Sequence, residues 1–299
     1  MILTVCLSPC IDVNIEVDSL SVGMNHKIIS KRTFFTGKGI NVSIGLARLG
    51  VPAFVTGFMY EDNGRLFEQE LHREGLNYKF VWSRGRVREN YKFVDHKSML
   101  TEFDDVSPEI TQQKQEDLIN FVAETAPSCE AVFIAGGLAR GMTADYYKKL
   151  LQVVPAGVVK VVDSEGDRLR YALECGVDLV KPNAEELERT LGIRIKNRET
   201  ALEGALTLVG MGAKKVLLSL GKEGAIITDG NRHYYCKTHN VAMNSTVAAG
   251  DAMVAAAMSA LVRGADLQTI LKCGVAAGTA AVTQPDTISF TKDKYDEIF

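Results

Sequence analysis

From residue 109 onward the chain alternates helical stretches with short apolar runs, and no other feature restricts the fold as much. Helical patterning covers 110–125, 143–153 and 198–210, while apolar runs occupy 131–135, 158–163, 178–180 and 215–219. Short runs with no polar face suit strands buried on both sides, and helices between such strands carry the chain back to the same edge of a sheet. The pattern therefore predicts an α/β fold with a mostly parallel sheet covered by helices on both faces. Residues 1–6 and 52–57 read as two more buried strands, and 43–49 and 63–74 as helices stopped by Gly50 and Gly75. By contrast, residues 13–18 and parts of 27–35 alternate apolar with polar, and 78–81, 90–94 and 98–103 have mixed faces. Alternation means one wet face. These strands are expected to form a small sheet, contributed by about 12–35 and 86–103, that covers the site of a single main α/β domain spanning 1–299.

Ligands on parallel sheets sit beyond the carboxyl ends of the strands, so the residues that end each run are the first candidates. Gly136 and Gly137 follow one strand, Asp163 closes another, and Lys181-Pro182-Asn183-Ala184-Glu185-Glu186 follows a third. Asn183 and Glu186 also have the spacing of a capping box, a structural role that accounts for the pair by itself. Ser219-Leu220-Gly221-Lys222-Glu223-Gly224-Ala225 is a Gly-spaced turn, suited equally to a hairpin and to a backbone approaching a nucleotide. Thr36-Gly37-Lys38-Gly39 stands before a helix without the P-loop spacing; it offers backbone and one ammonium to an anion, or is a plain helix entry. Arg86, Arg88 and Lys92 cluster around Asn90, either as a cationic cradle or as guards of an exposed edge.

The stretch 244–263 carries the chemistry. Residues 252–262 are apolar on every face apart from Ser259 and read as a helix buried all round. At its start the small residues Ala248, Ala249 and Gly250 leave backbone amides uncovered, where the unpartnered N–H groups and the helix dipole together make an anion site. Asp251 stands beside it. An acid next to an anion pocket is costly unless it takes a proton from the group attacking the anion, which is the arrangement of phosphoryl transfer. An Asp in a first turn also stabilises a helix by about 0.3–1 kcal/mol with no chemistry at all. A second Ala/Gly-rich helix at 267–282 permits close approach to a neighbour or to a flat ligand such as adenine.

Composition narrows the partners. A formal charge of -3 gives no reason to expect nucleic acid, and no segment approaches the roughly 20 apolar residues of a membrane span. Six cysteines without a C-x-x-C pair suit the reduced thiols of a cytoplasm, and no signal peptide or lipidation motif opens the chain. The five histidines show no metal-ligand spacing, and no G-x-G-x-x-G follows the first strand, which argues against a dinucleotide oxidoreductase.

Taken in order, the motifs resemble those of the ribokinase or PfkB superfamily of sugar kinases, and within it the 1-phosphofructokinase and tagatose-6-phosphate kinase branch. The resemblance rests on Thr4-Val5-Cys6-Leu7-Ser8-Pro9-Cys10-Ile11-Asp12, Gly37-Lys38-Gly39-Ile40-Asn41-Val42, Arg88-Glu89-Asn90-Tyr91-Lys92 and Asp163. It continues through Lys181-Pro182-Asn183-Ala184-Glu185-Glu186-Leu187, the 219–225 turn and Ser245-Thr246-Val247-Ala248-Ala249-Gly250-Asp251. It implies a ribokinase-like three-layer α/β/α fold with a small β-sheet lid, and ATP-dependent, Mg²⁺-assisted transfer to a hydroxyl of a ketohexose phosphate. Fructose 1-phosphate, giving fructose 1,6-bisphosphate, is the implied acceptor, with tagatose 6-phosphate and fructose 6-phosphate as alternatives. Asp251 matches the family's base, and the amides of Ala248, Ala249 and Gly250 its anion hole. Asp12 and Asn41 match residues that hold sugar hydroxyls; Gly37, Lys38, Arg88 and Asn90 face the acceptor and its phosphate, with Lys27 as a helper. Asn183 and Glu186 match the motif that organises Mg²⁺, Glu186 acting through water, and Ser219, Gly221 and Gly224 fall on the nucleotide side. A homodimer through the lid is implied as well. The chain departs from the branch at Ser8, Thr36, Gly137, Ala248 and Pro285-Asp286-Thr287. A Cβ at 248 is strained if that position needs positive φ. A sugar-phosphate sensor that lost efficient transfer through Ala248 and Gly137 is the alternative of another class.

Overall fold

The computed structural model describes residues 1–97, 99–242, 247–284 and 290–299. The chain opens with β1 (Ile2–Cys6), β2 (Cys10–Val17), β3 (Ile28–Thr36), α1 (Lys38–Arg48), β4 (Ala53–Tyr60), α2 (Arg65–Arg73) and β5 (Asn77–Ser83). Next come β6 (Arg88–Val94), β7 (Leu100–Phe103), α3 (Gln112–Thr125), β8 (Ala131–Ala135), α4 (Tyr146–Gln152), β9 (Val159–Asp163), α5 (Gly166–Leu173) and β10 (Leu179–Val180). The last part holds α6 (Ala184–Leu191), α7 (Arg198–Gly210), β11 (Val216–Ser219), β12 (Ala225–Thr228), β13 (His233–Cys236), α8 (Ala249–Val262), α9 (Leu267–Val282) and α10 (Lys292–Ile298).

The main sheet has the order β13-β12-β11-β10-β9-β8-β1-β4-β5. Its pairs are parallel from β5 through β11, and the β11–β12 and β12–β13 pairs are antiparallel, so among its strands β12 alone is reversed. β1 is buried along its whole length and lies between β4 and β8, so the chain winds away from it first on one side and then on the other. That reversal opens a crevice at the carboxyl ends of β1 and β8, where such sheets take their ligands. The helix entering α1 is seated directly on this end. A Cβ on Gly39 would lie 2.8 Å from the Cys6 amide nitrogen, and one on Gly57 1.9 Å from the Cys6 carbonyl oxygen. Only glycines let the three backbones approach, and the approach points the first turn of α1 over the crevice.

α8 and α9 pack together on the carboxyl-end side, and α8 is buried from Asp251 through Ala260. A helix apolar on all faces finds its partners in α9 on one side and α1 on the other. Gly274 and Gly278 face Met253 and the Ala249 carbonyl, so the small residues of α9 bring the two helices close. Truncating a buried anchor such as Met258 to alanine would cost about 2–5 kcal/mol.

The second sheet has the order β3-β2-β6-β7, with β2 and β6 parallel and both outer pairs antiparallel. Its four strands fall close to the regions expected to build the small sheet, and from Val13 to Val17 β2 alternates buried Val13, Ile15 and Val17 with half-buried Asn14 and exposed Glu16, the one wet face expected of it. At the buried start of the strand Asp12 is held by Lys92, Thr36 and Cys10. Among the described residues no helix is long and apolar enough to cross a membrane.

Candidate active site

The site is built on the start of α8. Ala248 caps the helix at φ 62° and ψ 2°, the only non-glycine residue with positive φ among those described. A left-handed alanine costs about 1–2 kcal/mol, and it turns the chain so that the first-turn amides leave the helix unpaired. The Ala252 amide already bonds the Ala248 carbonyl at 2.9 Å, which fixes where the helix begins. Beside Gly250 stands Lys181, directly after β10 and almost wholly buried; a Cβ on Gly250 would come within 3.2 Å of its ammonium. Amides, helix dipole and a buried cation thus converge on one spot, which suits a phosphate.

Asp251 adjoins this spot and is 7% exposed. Its Oδ2 accepts a hydrogen bond of 2.7 Å from Asn41 Nδ2, an amide presented by the first turn of α1. Burial pushes the carboxyl up to about 6, with Asp163 adding to the rise while Lys38, Asn41 and Lys181 hold it back. A carboxylate in that range is basic enough to take a proton near neutral pH and is still ionised there.

Lys38 lies across the cleft, 3.0 Å from Asp163 Oδ1 and 3.5 Å from Glu186 Oε1. Burial favours its neutral form, but Asp163, Glu186 and Asp251 together outweigh that and hold the ammonium charged. Burial likewise opposes ionisation of Asp163, and Lys181 and Lys38 overcome it, so its carboxyl lies below the usual range. Asn183 and Glu186 do form the capping box. Each side chain bonds the other's backbone amide at 2.8 Å, through Glu186 Oε2, which leaves Glu186 Oε1 for Lys38.

A cavity of about 1020 Å³ runs from Gly250 and Lys181 past Asn183, Ser219 and Gly221 to Val275 and Thr279 of α9. Of the two roles open to the Gly-spaced turn, the hairpin is formed by β11 and β12, which run antiparallel, and its tip lines the cavity. Gly224, at φ 108°, closes the hairpin because a Cβ there would lie 2.0 Å from the Cys236 carbonyl oxygen. It serves close packing and does not line the cavity.

On the other side the second sheet supplies Asp12, Arg88 and Asn90. Arg88 bonds Ser8 Oγ at 3.2 Å through Nε and Asn90 Oδ1 at 3.0 Å through Nη1, which ties β6 to the segment following β1. Asp12 Oδ2 accepts from Lys92 at 3.2 Å and from Thr36 at 3.4 Å. Gly37 leads into α1 at φ 147°, and a Cβ there would stand 2.6 Å from Cys6 Sγ. Lys27 is exposed ahead of β3 and is not part of this set. Gly137 lies exposed in open space past the end of β8. Ser245, Thr246 and the Pro285-Asp286-Thr287 departure lie outside the described residues.

Four buried side-chain oxygens among the described residues have no hydrogen-bond partner: Asn14 Oδ1, Asn41 Oδ1, Asp163 Oδ2 and Thr279 Oγ1. Asp163 Oδ2 has Lys181 at 3.5 Å as an ion-pair partner, without the geometry of a hydrogen bond. Each orphan costs about 1–3 kcal/mol, and three of the four residues adjoin Asp251, Lys38 or the cavity. Lys181 and Asp163 were quoted as motif residues without being given a role. The readable signal is their position: Asp163 closes β9 after Val161 and Val162, and Lys181 follows the wholly apolar β10, at the strand ends where ligands bind.

The pattern that defines the pfkB family carbohydrate kinases matches residues 1–294. Among curated relatives, a tagatose-6-phosphate kinase of Staphylococcus epidermidis is 25% identical over 100% of this chain and 97% of its own length. A 1-phosphofructokinase of Borreliella burgdorferi is 28% identical over 97% and 94%. The crystal structure of phosphofructokinase-2 from Escherichia coli in complex with fructose-6-phosphate superposes with a TM-score of 0.89 at 26% identity, covering 99% of this chain and 97% of that one. With the match running through the small sheet, the crevice and the α8 N-terminus alike, the chain belongs to the pfkB family of carbohydrate kinases.

Proposed function

We propose that the protein transfers the γ-phosphoryl group of ATP to a hydroxyl of a ketohexose phosphate, with Asp251 as the base. The observation that carries this is the buried Asp251 carboxylate, fixed by Asn41 at 2.7 Å beside the α8 amides and the Lys181 ammonium. In the reaction Asp251 takes the proton of the acceptor hydroxyl as its oxygen bonds phosphorus, and the bond from phosphorus to the ADP oxygen breaks. The amides of Ala249, Gly250 and Asp251 and the Lys181 ammonium stabilise the charge on the transferring group, a task of position and electrostatics. Asn41 keeps its free Oδ1 for a sugar hydroxyl and orients the base. Asp12 and Asn90 hold the sugar, and Arg88 takes the phosphate it already carries. Lys38 bridges the two halves of the cleft.

A divalent cation fits the same site. Asp163 Oδ2 is buried without a hydrogen-bond partner, and hard cations such as Mg²⁺ take oxygen ligands. Asp163 would hold the metal directly and Glu186 through water. When bound, it supplies charge neutralisation on the nucleotide phosphates. The nucleotide lies in the 1020 Å³ cavity beside Ser219 and Gly221, with its base against Val275 and Thr279.

The second sheet acts as a lid and as the contact to a second copy. Large apolar side chains exposed on the surface concentrate there and in its flanking segments, among them Ile28, Ile29, Met99, Leu100, Phe103 and Val106. All six cysteines are unpaired, in keeping with a reducing cytoplasm. The acceptor we assign is fructose 1-phosphate, with tagatose 6-phosphate and fructose 6-phosphate as the alternatives. ADP release measured with each of the three, and with the free sugars, decides among them. Release with none, while a sugar phosphate still raises the melting temperature, would replace the kinase by a sugar-phosphate sensor.

A further inference from the structure

Lys92 belongs to the cationic cluster around Asn90 and pairs with Asp12, and its position gives it more to do. β2 and β6 run parallel with Asp12 opposite Asn90 and Asn14 opposite Lys92, so the four side chains share one face of the small sheet. The Lys92 side chain is 13% exposed. Its ammonium lies 3.2 Å from Asp12 Oδ2 and 3.9 Å from Glu102 Oε1, the residue opposite it on β7. Asp12 also accepts from the Thr36 hydroxyl on Oδ2 and from the Cys10 thiol on Oδ1, at 3.4 and 3.3 Å.

Two consequences follow. The Asp12 carboxylate reaches the acceptor with its charge compensated and most of its accepting positions used, so it repels an anionic ligand far less than a bare carboxylate would. An ammonium has three donors; Asp12 takes one at 3.2 Å, while Glu102 at 3.9 Å is an ion-pair partner without a hydrogen bond. Opposite Lys92 in the register is Asn14, whose Oδ1 is buried without a partner. A donor and an acceptor therefore stand side by side on the Asp12 face.

We propose that Lys92 is a specificity-determining residue of the acceptor subsite: paired with Asp12 and opposite Asn14, it makes this face select a phosphorylated ketohexose over the free sugar. The inference deepens the proposed function, and rests on it only in assigning this face to the acceptor. It predicts that selectivity is lost from binding of the acceptor, with the chemical step left as it is.

The test uses the full chain without nucleotide. Calorimetric Kd values for fructose 1-phosphate, fructose 6-phosphate and fructose are compared for the wild type, Lys92→Met, Lys92→Arg and Asn14→Asp. Lys92→Met is expected to weaken the preferred sugar phosphate at least tenfold and fructose less than twofold, while Lys92→Arg stays within about threefold of the wild type. Asn14→Asp keeps the Asp12 pair and places a carboxylate opposite Lys92. It must also lower the sugar-phosphate preference at least tenfold, and it serves if Lys92→Met fails to fold. With ATP present, the Lys92→Met defect is expected in KM and not in kcat. An unchanged ratio of the two Kd values, an equal loss for both ligands, or wild-type binding of neither would overturn the role of Lys92. ADP release that persists while the ratio is unchanged leaves the kinase standing without this role; a changed ratio without ADP release does the reverse.

Discussion

Replacing Asp251 by asparagine should abolish turnover and, at the same time, stabilise the protein in a pH-dependent way. The folded protein holds the Asp251 carboxyl near 6, against an ordinary value of 3.8, chiefly because it is buried. A folded value raised above the unfolded one means that the native state keeps its proton longer than the unfolded chain. The stability contributed by this group is therefore complete below pH 3.8 and is lost as pH rises through 6. The interval of about 2.2 pH units, at about 1.36 kcal/mol each, sets the loss above pH 7 at about 3 kcal/mol. Asparagine keeps an oxygen for the Asn41 amide and never ionises, so the variant escapes that loss. Thermal melts followed by circular dichroism should show Asp251→Asn more stable than the wild type by up to about 3 kcal/mol at pH 8, on the order of 5 °C for a chain of this size. At pH 4.5, only about 0.7 unit above 3.8, the difference should shrink to about a third of that at pH 8. In a coupled ADP assay kcat should fall by about 10²–10⁴, the usual contribution of general base catalysis. A gain of equal size at both pH values would show that asparagine merely packs better, and no gain at pH 8 would refute the buried, strained carboxylate on which the base assignment stands.

The other expectations address single features of the cleft. Ala248→Gly should relieve the left-handed cap and stabilise the protein by about 1 kcal/mol, read as a shift in urea midpoint without change in slope. Lys181→Met should lower stability by about 1–3 kcal/mol by leaving the buried Asp163 with Lys38 alone of its two ion-pair partners; adding Asp163→Asn should restore part of it, and independent losses in the double variant would deny the pairing. Thr279→Val should stabilise the unliganded protein by about 1 kcal/mol by removing an orphaned hydroxyl, and weaken ATP severalfold by calorimetry; unchanged ATP affinity would take Thr279 out of the base pocket. Light scattering should give a mass of about 65 kDa, twice 32.7 kDa, and Leu100→Glu with Phe103→Glu should halve it; a wild-type monomer would remove the lid contact.

What the sequence disclosed follows from the range over which each feature is determined. The bounds of β1 are nearly legible because its burial on both faces leaves a continuous apolar run, and those of α9 are legible from its Ala/Gly-rich stretch, which packs closely on α8. α8 begins at Ala249, earlier than the apolar stretch alone suggested, because its start is set by one left-handed residue and not by periodicity. β13 and α10 were not foreseen. The four residues of β13 are held by their register with β12, and in the seven of α10 only Tyr295 is buried, too few for any period to show. Residue types in the site were legible, but their pairings were not. Asn41 was expected to hold a sugar hydroxyl; its bond to Asp251 joins positions 210 apart, and the Lys38 bond to Asp163 spans 125. Such contacts come from the winding of the sheet, which brings α1, β9 and α8 to one end.

That winding also explains why the cleft is the least satisfied part of the molecule. Buried polar groups elsewhere in the described chain find partners, as Thr56 does with the Lys79 carbonyl and Tyr146 with that of Gln115. Along the cleft the partners are missing on both sides of Asp251: Asn41 and Asn14 toward the small sheet, Asp163 and Thr279 toward the cavity. A fold selected for stability alone would replace such oxygens with apolar groups, since each orphan weighs against a net stability of only some 5–15 kcal/mol. The strained Ala248 and the raised Asp251 carboxyl weigh in the same direction. These costs are all reduced by one event, the arrival of ligands bearing hydroxyls, a cation and an anion. The unsatisfied atoms therefore describe the ligand more closely than the satisfied ones do: hydroxyl donors on one side of the base, a cation and a heterocycle on the other, with the phosphoryl group passing between them at the start of α8.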